Sequence, residues 1–147
     1  MSSNLEVLYR QVIMDHYKNP RNKGLKKDGE YYQVHLTNPT CGDDVTIQIK
    51  VENNIITEVN HDGTGCSISM SAASVMCETI QGLTIDDAKK VIENYIHMVK
   101  GEEFDQEMLL GDTIVYQGVA QFPARFKCAT IAWKALDKAI DNHEKEK

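Results

Sequence analysis

The feature that most constrains the fold is a strict alternation of apolar and polar residues over residues 45–52. The apolar members are Val45, Ile47, Ile49 and Val51. Alternation with a period of two places them on one face of an extended strand. Asn53-Asn54 fits a two-residue hairpin turn, residues 55–62 can form the returning strand, and residues 32–36 alternate in the same way. These segments predict an antiparallel meander of three strands, with one face buried and the other exposed to water.

The rest of the chain has a helical period. Apolar residues recur at helical spacing within residues 5–16, 68–80, 88–99 and 129–140. Pro123 is expected to open the last helix, and the charged tail from Asp141 to be frayed. Residues 102–118 are acidic and then interrupted by glycine, and they predict no regular element. We therefore expect a single α+β domain over residues 1–147, with a three-stranded antiparallel sheet packed against a set of α-helices.

Composition narrows the class of protein and its partners. The chain of 147 residues carries a net charge of −6, which argues against nucleic acid as the main partner because phosphate binding needs clustered basic side chains. The first residues lack the basic start and apolar run of a secretion signal, and no apolar run reaches membrane-spanning length. We expect a cytoplasmic protein whose four cysteines stay reduced. They then serve as ligands, nucleophiles or core residues.

Three of these cysteines stand at the edges of regular elements. Cys41 and Asp43 flank a glycine in the turn after the first strand, Cys66 follows a glycine-rich turn at residues 63–65, and Cys128 lies at the start of the last helix. Glycine lets a turn bend tightly, and a helix N-terminus favours a thiolate. Thiolates with one harder ligand suit zinc or iron–sulfur chemistry. We infer that Cys41, Asp43, Cys66 and Cys128 converge on one metal ion.

The alternative interpretation is that each cysteine is a small core hydrophobe. Cys77 fits it, because it lies in the middle of a helical stretch with no turn, glycine or charge around it. Cys41 fits it poorly, since a buried apolar thiol is out of place between Thr40 and Gly42. His16 lies on the apolar stripe of the first helix, and the histidines show no metal-binding spacing. We therefore interpret His16 as a satisfied core residue.

Four motifs resemble the U-type iron–sulfur assembly proteins, the IscU and NifU N-terminal family with its SufU branch. They are YRQVIMDHYKNPRN at residues 9–22, NPTCGD at residues 38–43, GTGCSIS at residues 63–69 and FPARFKCA at residues 122–129. The resemblance covers nearly the whole chain. Lys127 stands where the IscU-like branch has a histidine, the proline-rich chaperone-binding stretch is reduced, and the segment between Cys66 and Cys128 is longer. In all three features the chain is similar to SufU.

The resemblance implies a zinc site made of Cys41, Asp43, Cys66 and Cys128. It implies a sulfurtransferase-type sulfur carrier, rather than a conventional turnover enzyme, that takes sulfur from a PLP-dependent cysteine desulfurase similar to SufS and passes it to downstream iron–sulfur assembly proteins. Docking of the desulfurase is expected to free the Cys41 thiolate, which then attacks the donor's persulfide as in thiol–disulfide exchange. Arg125 and Lys127 are expected to support the released thiolate or persulfide by charge.

Two other functions stay open. The same thiolates could ligate a [2Fe–2S] or [4Fe–4S] cluster with Asp43 as a labile ligand, which would make the chain a scaffold that assembles and transfers the cluster. Lys127 in place of histidine favours sulfur transfer over this. The other is a structural zinc module without chemistry. It is disfavoured because a chain of this length does not need a metal to fold, and because Asp43 is unusual in a structural zinc site.

Overall fold

The computed structural model describes residues 2–109 and 111–146. In chain order the elements are α1 (Ser2–Lys18), β1 (Tyr32–Asn38), β2 (Asp43–Glu52), β3 (Ile55–Thr64), α2 (Ser67–Ile80), α3 (Ile85–Val99) and α4 (Phe126–Lys145). Three 3₁₀ segments, Gln106–Met108, Gly111–Gln121 and Pro123–Arg125, lie between α3 and α4. The predicted α+β class, with a sheet followed by helices, is confirmed.

The three strands form one antiparallel sheet in the order β1-β2-β3. Asn53 and Asn54 join β2 to β3 with φ angles of 52° and 63°, the left-handed values of a two-residue hairpin turn. Val45, Ile47 and Ile49 are fully buried on one face. The alternation in the sequence therefore predicted both the central strand and its buried face.

The opposite face of the sheet is covered more than the sequence predicts. Gln48 and Asn60 belong to the polar side of the alternation, yet only 2% and 5% of their surfaces are exposed. The loop after α1 passes over them: the Gln48 side chain accepts a hydrogen bond from the Lys26 N–H and donates one to the Lys26 carbonyl. The expectation of a wet face is corrected only at the centre of the sheet, where Gln48 is the partner of this loop. Asp44 and Glu52 of the same strand are exposed, as expected.

The core lies between the buried face of the sheet and the helices. Trp133 of α4 is fully buried and stacks on Tyr95 of α3, with ring centroids 4.1 Å apart. The Tyr95 hydroxyl donates to the carbonyl of Ala129 at 2.8 Å, so its polar atom is satisfied inside the core. These contacts fix α4 against α3 and thereby help to fix where its first turn lies.

The segment between α3 and α4 had no predicted structure. It forms 3₁₀ turns, and Tyr116 within it is buried and donates a hydrogen bond to Ser71 of α2 at 2.6 Å. Pro123 opens the last of these turns, while the α-helix begins at Phe126. The prediction that Pro123 opens the helix itself is therefore wrong, because α4 begins three residues later.

The C-terminal tail also differs from expectation. Its charged composition from Asp141 onward predicts fraying, but α4 continues to Lys145. An ion pair between Lys89 of α3 and Glu144 holds this last turn against its neighbour. Within the described residues, no helix is both long enough and apolar enough to cross a bilayer.

Candidate metal centre

Three segments of the chain meet at one end of the sheet. Cys41 lies in the turn between β1 and β2, Asp43 is the first residue of β2, and Cys128 is in the first turn of α4. One ligand atom from each lies within 4.8 Å of the other two. The turn is tight because Gly42 adopts a φ of 71° and the Cys41 N–H bonds to the Asn38 carbonyl. The structure thus brings three of the four predicted ligands together.

Cys66 joins this group through a helix cap. It is the N-cap of α2, and its sulfur accepts a hydrogen bond from the Ser69 N–H at 3.5 Å. Its own backbone N–H donates to Asp43 Oδ1 at 3.1 Å, and its thiol lies close enough to Cys128 to contribute to the raised pKa of that residue. The predicted place at a helix N-terminus is confirmed. The Cys66 sulfur lies beside Cys128 and outside the set of three atoms that are mutually within 4.8 Å.

Asp43 is the buried anion of the group, with 1% of its surface exposed. Its Oδ1 accepts from the Ser69 hydroxyl at 2.8 Å, and its Oδ2 accepts from the Asn38 amide at 3.1 Å. Burial by itself raises the pKa of Asp43. The hydrogen bonds from Ser69 and the Cys66 backbone, followed by those from Cys128 and Asn38, outweigh burial and hold the pKa below its ordinary value. Asp43 is therefore a carboxylate at neutral pH.

The Cys128 thiol is held in its neutral form when no cation is present. Burial raises the pKa of Cys128, and hydrogen bonds with Cys41, Asp43 and Cys66 raise it further. A metal ion would displace the thiol protons, because thiolates are the ligating form. Sulfur atoms with one carboxylate oxygen suit zinc, and the same sulfurs suit an iron–sulfur cluster. The residues present fit either group.

The two basic residues named from the sequence lie in different places. Arg125 precedes α4 and hydrogen-bonds with Cys128, and this bond, with the charge of the nearby cysteines, raises the pKa of Arg125. Lys127 instead lines a separate cavity of about 280 Å³ together with Lys134. Among the described residues, the structure places Arg125 beside the thiols and Lys127 against this other cavity. Cys77 is fully buried in α2, where burial raises the pKa of its thiol, as expected for a core residue.

A groove of about 640 Å³ reaches the group from the side of α1. Cys66 and Arg125 line it, together with apolar side chains that include Ile13, Ile68 and Phe122. Phe122 is 61% exposed. The centre is therefore open to solvent on the side where Cys66 and Arg125 lie.

A second group of potential ligands joins α1 to α2. His16 is fully buried, with Nδ1 at 2.8 Å from Ser74 Oγ and Nε2 at 3.0 Å from Asp112 Oδ2. Ligand atoms of His16, Glu78 and Asp112 lie within 4.8 Å of one another. The Arg21 guanidinium lies 3.4 Å from Glu78, and the Arg21 backbone N–H donates to the Ser74 hydroxyl. His16 is thus a satisfied core residue, as interpreted from the sequence.

Sequence reasoning missed two side chains at the centre, Asn38 and Ser69. Both are buried, and both donate to the Asp43 carboxylate. Their only sequence signal is position: Asn38 precedes Cys41 by three residues, and Ser69 follows Cys66 by three. In a helix that spacing brings a side chain back to the N-cap.

The fold and the site define the class: a small α+β protein with thiols and one buried carboxylate at the end of a three-stranded sheet. The chain belongs to the NifU-like N terminal domain family, which matches residues 8–129. It is 47% identical over 143 residues to the zinc-dependent sulfurtransferase SufU of Bacillus subtilis, covering 97% of this chain and 96% of that protein. It is 38% identical over 138 residues to the iron–sulfur cluster assembly scaffold protein IscU of Streptococcus pyogenes, covering 94% and 86%.

Solved structures agree with this assignment. A protein of Fervidobacterium islandicum, named as an iron–sulfur cluster assembly scaffold protein for the SUF system, is 32% identical with a TM-score of 0.78, covering 92% of this chain and 98% of that one. A NifU-like N-terminal domain from Brucella abortus has a TM-score of 0.83 at 19% identity, covering 97% and 99%. The latter likeness concerns the fold alone. The resemblance to the U-type family is confirmed.

Proposed function

We propose that this chain is a zinc-dependent sulfur acceptor in iron–sulfur cluster biogenesis. The observation that carries the proposal is the convergence of Cys41, Asp43 and Cys128 within 4.8 Å of one another, with Cys66 beside them. The similarity to a protein named zinc-dependent sulfurtransferase supports the choice of zinc. Cys41, Asp43, Cys66 and Cys128 would hold the ion. When bound, zinc would keep the thiolates deprotonated at neutral pH.

Cys41 is the residue that accepts sulfur in this proposal. Its thiolate attacks the outer sulfur of the donor's cysteine persulfide; a new S–S bond forms on Cys41, the donor's S–S bond breaks, and the donor's cysteine leaves as a thiolate. No external oxidant or reductant is needed, because the persulfide sulfur is already oxidised relative to sulfide. Cys41 is part-exposed and lies in a turn, whereas Cys128 is fully buried in a helix and Cys66 caps another.

Arg125 assists by charge. It is exposed and adjacent to the sulfurs, so it can balance the anionic persulfide that forms beside it. The proposed donor is a PLP-dependent cysteine desulfurase similar to SufS, and the acceptors are downstream iron–sulfur assembly proteins. The chain then acts as a sulfur carrier in the cytoplasm, where thiols remain reduced. Lys127 lines the other cavity and is a weaker candidate for this role.

The second candidate function is a scaffold for a [2Fe–2S] or [4Fe–4S] cluster. It is favoured by the same sulfurs, which suit a cluster, and by the scaffold proteins among the relatives. The residue before Cys128 is a lysine, which offers a poorer metal ligand than histidine at neutral pH because its amine is protonated. This residue favours sulfur transfer over cluster assembly.

Sulfur uptake onto Cys41 can be tested directly. The zinc-loaded chain is incubated with the desulfurase and labelled cysteine, and the modified residue is located by peptide mass spectrometry. We expect one labelled sulfur on Cys41, none in Cys41→Ser, and normal uptake in Cys77→Ala, which changes a buried cysteine away from the site. Uptake at the normal rate by Cys41→Ser would overturn the assignment.

A further inference from the structure

The Asp43 carboxylate is held from both sides by groups that the proposed chemistry does not otherwise use. Oδ1 accepts from the Ser69 hydroxyl at 2.8 Å and from the Cys66 N–H at 3.1 Å. Oδ2 accepts from the Asn38 amide at 3.1 Å. Ser69 is fully buried, and only 6% of the Asn38 surface is exposed. A carboxylate with this many donors has a fixed orientation.

The two oxygens of Asp43 are not equivalent. The Asn38 amide nitrogen that bonds Oδ2 also lies 4.0 Å from the Cys128 sulfur. Oδ2 therefore lies on the side of Cys128 and has one amide donor, whereas Oδ1 lies at the start of α2 and has two donors. An oxygen already bonded to two N–H or O–H groups has little lone-pair density left for a cation. Oδ2 is the oxygen available to a metal.

Ser69 ties Asp43 to Cys66. Its hydroxyl has one hydrogen, and the carboxylate at 2.8 Å is the charged and shorter acceptor. Its backbone N–H meanwhile donates to the Cys66 sulfur at 3.5 Å. One residue thus orients a carboxylate with its side chain and a thiol with its backbone.

The space around this contact is closed. A Cβ placed on Gly65 would lie 2.5 Å from Ser69 Oγ and 2.6 Å from Asp43 Oδ1, distances that real Cβ atoms do not adopt. The backbone at residue 65 therefore packs directly against the Ser69–Asp43 hydrogen bond and closes that side of it.

Cys41 has no comparable restraint. The Cys41 sulfur interacts with the Cys128 thiol. Within the described residues, no backbone N–H or side-chain amide donates to the Cys41 sulfur. We propose that Ser69 and Asn38 are positioning residues that fix Asp43 for one-oxygen ligation through Oδ2 and tie it to Cys66 and Cys128, so that Cys41 is the one ligand free to leave. This inference rests on the proposed zinc site and explains why Cys41 is the acceptor.

The test uses the full chain loaded with zinc or with cobalt(II) as a spectroscopic substitute. The variants are Ser69→Ala and Asn38→Leu, and the control is Ser71→Ala, a buried serine of the same helix whose hydroxyl serves Tyr116 and Ile68. We expect each test variant to lower zinc affinity in chelator competition by about tenfold or more and to shift the cobalt d–d bands. The control should bind zinc as the wild type does.

The order of thiol alkylation provides a second readout. In the zinc-loaded wild type we expect Cys41 to react first with a limiting amount of iodoacetamide. In Ser69→Ala, Cys66 should react alongside it, because its thiol loses the Ser69 hydroxyl 3.6 Å away and the Asp43 carboxylate that accepts from its backbone N–H loses a donor. Unchanged affinity, cobalt spectrum and alkylation order in Ser69→Ala would overturn the proposal, as would an equal loss of zinc affinity in Ser71→Ala.

The outcomes separate this inference from the proposed function. A wild type that binds cobalt without a thiolate charge-transfer band would overturn the proposed metal site itself. A wild type that binds zinc but gains no sulfur on Cys41 would overturn the transfer step, while the positioning of Asp43 would still be judged by its own variants.

Discussion

Two groups in this chain hold the ingredients of a metal site, and they differ in how their charges are balanced. In each, ligand atoms of three residues lie within 4.8 Å of one another. In the His16 group both ring nitrogens are already paired, Arg21 lies against Glu78, and the Asp112 side chain is 43% exposed. In the thiol group the carboxylate is 1% exposed and accepts hydrogen bonds from Ser69, the Cys66 backbone and Asn38.

The difference shows that close approach of ligand types does not by itself define a metal site. In the His16 group, both buried ring nitrogens already have hydrogen-bond partners within the protein. The thiol group brings cysteine sulfurs next to a buried anion, Asp43. Among the described residues, the cation near this group is Arg125, which is exposed. A buried anion of this kind is stabilised by a bound cation.

The largest expected effect is on zinc affinity. Asp43→Asn removes the buried charge and should weaken zinc binding more than the loss of an outer partner does, that is by more than about 100-fold. Asp112→Asn, the matched change in the His16 group, should leave zinc affinity unchanged. Chelator competition measures both. Equal losses in the two variants would remove the distinction between the groups.

The next effect is on folding. His16→Ala leaves a cavity and strips Ser74 of a buried partner, so we expect it to lower the free energy of unfolding by about 2–4 kcal/mol. Zinc content should stay as in the wild type, because the two groups do not share residues. Urea unfolding and metal analysis on the same sample test this. A His16→Ala protein that is as stable as the wild type but lacks zinc would reverse the roles assigned to the groups.

A smaller effect separates the two arginines. Arg125→Ala removes a cation beside the thiols, so in the metal-free protein their alkylation at pH 8 should slow by roughly two- to fivefold. Arg21→Ala removes a cation beside carboxylates and should leave that rate unchanged. A time course of alkylation, quenched at intervals and analysed by mass spectrometry, measures the rates. A slower rate in both variants would indicate a general charge effect and not a local one.

Two buried titratable residues, His61 and Asp43, should affect stability in different pH ranges. His61, which bonds the Arg21 carbonyl, is buried, and burial and the charge of Lys23 lower its pKa below the ordinary 6.5. Below about pH 6.5 the unfolded chain takes up a proton that the native chain resists, so stability falls with falling pH, at most by about 1.4 kcal/mol per pH unit.

The pKa of Asp43 is lowered, so its contribution is present above its ordinary value of 3.8 and is lost only as pH falls below that. His61→Gln should therefore flatten the dependence of the free energy of unfolding on pH between pH 6.5 and pH 5 in the metal-free protein. Urea unfolding at several pH values decides this. An unchanged slope in His61→Gln would show that His61 does not govern this pH range.

Much of the fold follows from local patterns. The alternation at residues 45–52 and Asn53-Asn54 predicted the central hairpin, because a period of two together with left-handed turn residues admits few other structures. Cys66 was placed at a helix N-terminus because a glycine-rich turn precedes a helical period. The segment at 102–118 could not be predicted, since its 3₁₀ turns are held by contacts such as Tyr116 with Ser71 and not by local sequence preference.

The candidate site was likewise easier to predict where its residues are close together in the sequence. Cys41 and Asp43 are close in sequence, so a single turn indicates their shared role, whereas their contact with Cys128 depends on how α4 packs. Ser69 and Asn38 were missed because serine and asparagine carry no metal-ligand signal, and only the structure shows that they donate to Asp43. Arg125 and Lys127 are two residues apart in the sequence. Among the described residues, Arg125 lies beside the cysteine sulfurs, whereas Lys127 lines the other cavity.

One measurement tests the central claim most directly: metal content with an absorption spectrum, on protein purified without oxygen, before and after adding desulfurase, cysteine, iron and reductant. The account predicts about one zinc per chain throughout, no visible chromophore, and faster cysteine turnover by the desulfurase. A stable brown cluster that displaces the zinc and passes to an apo-acceptor would contradict it and make the chain a scaffold.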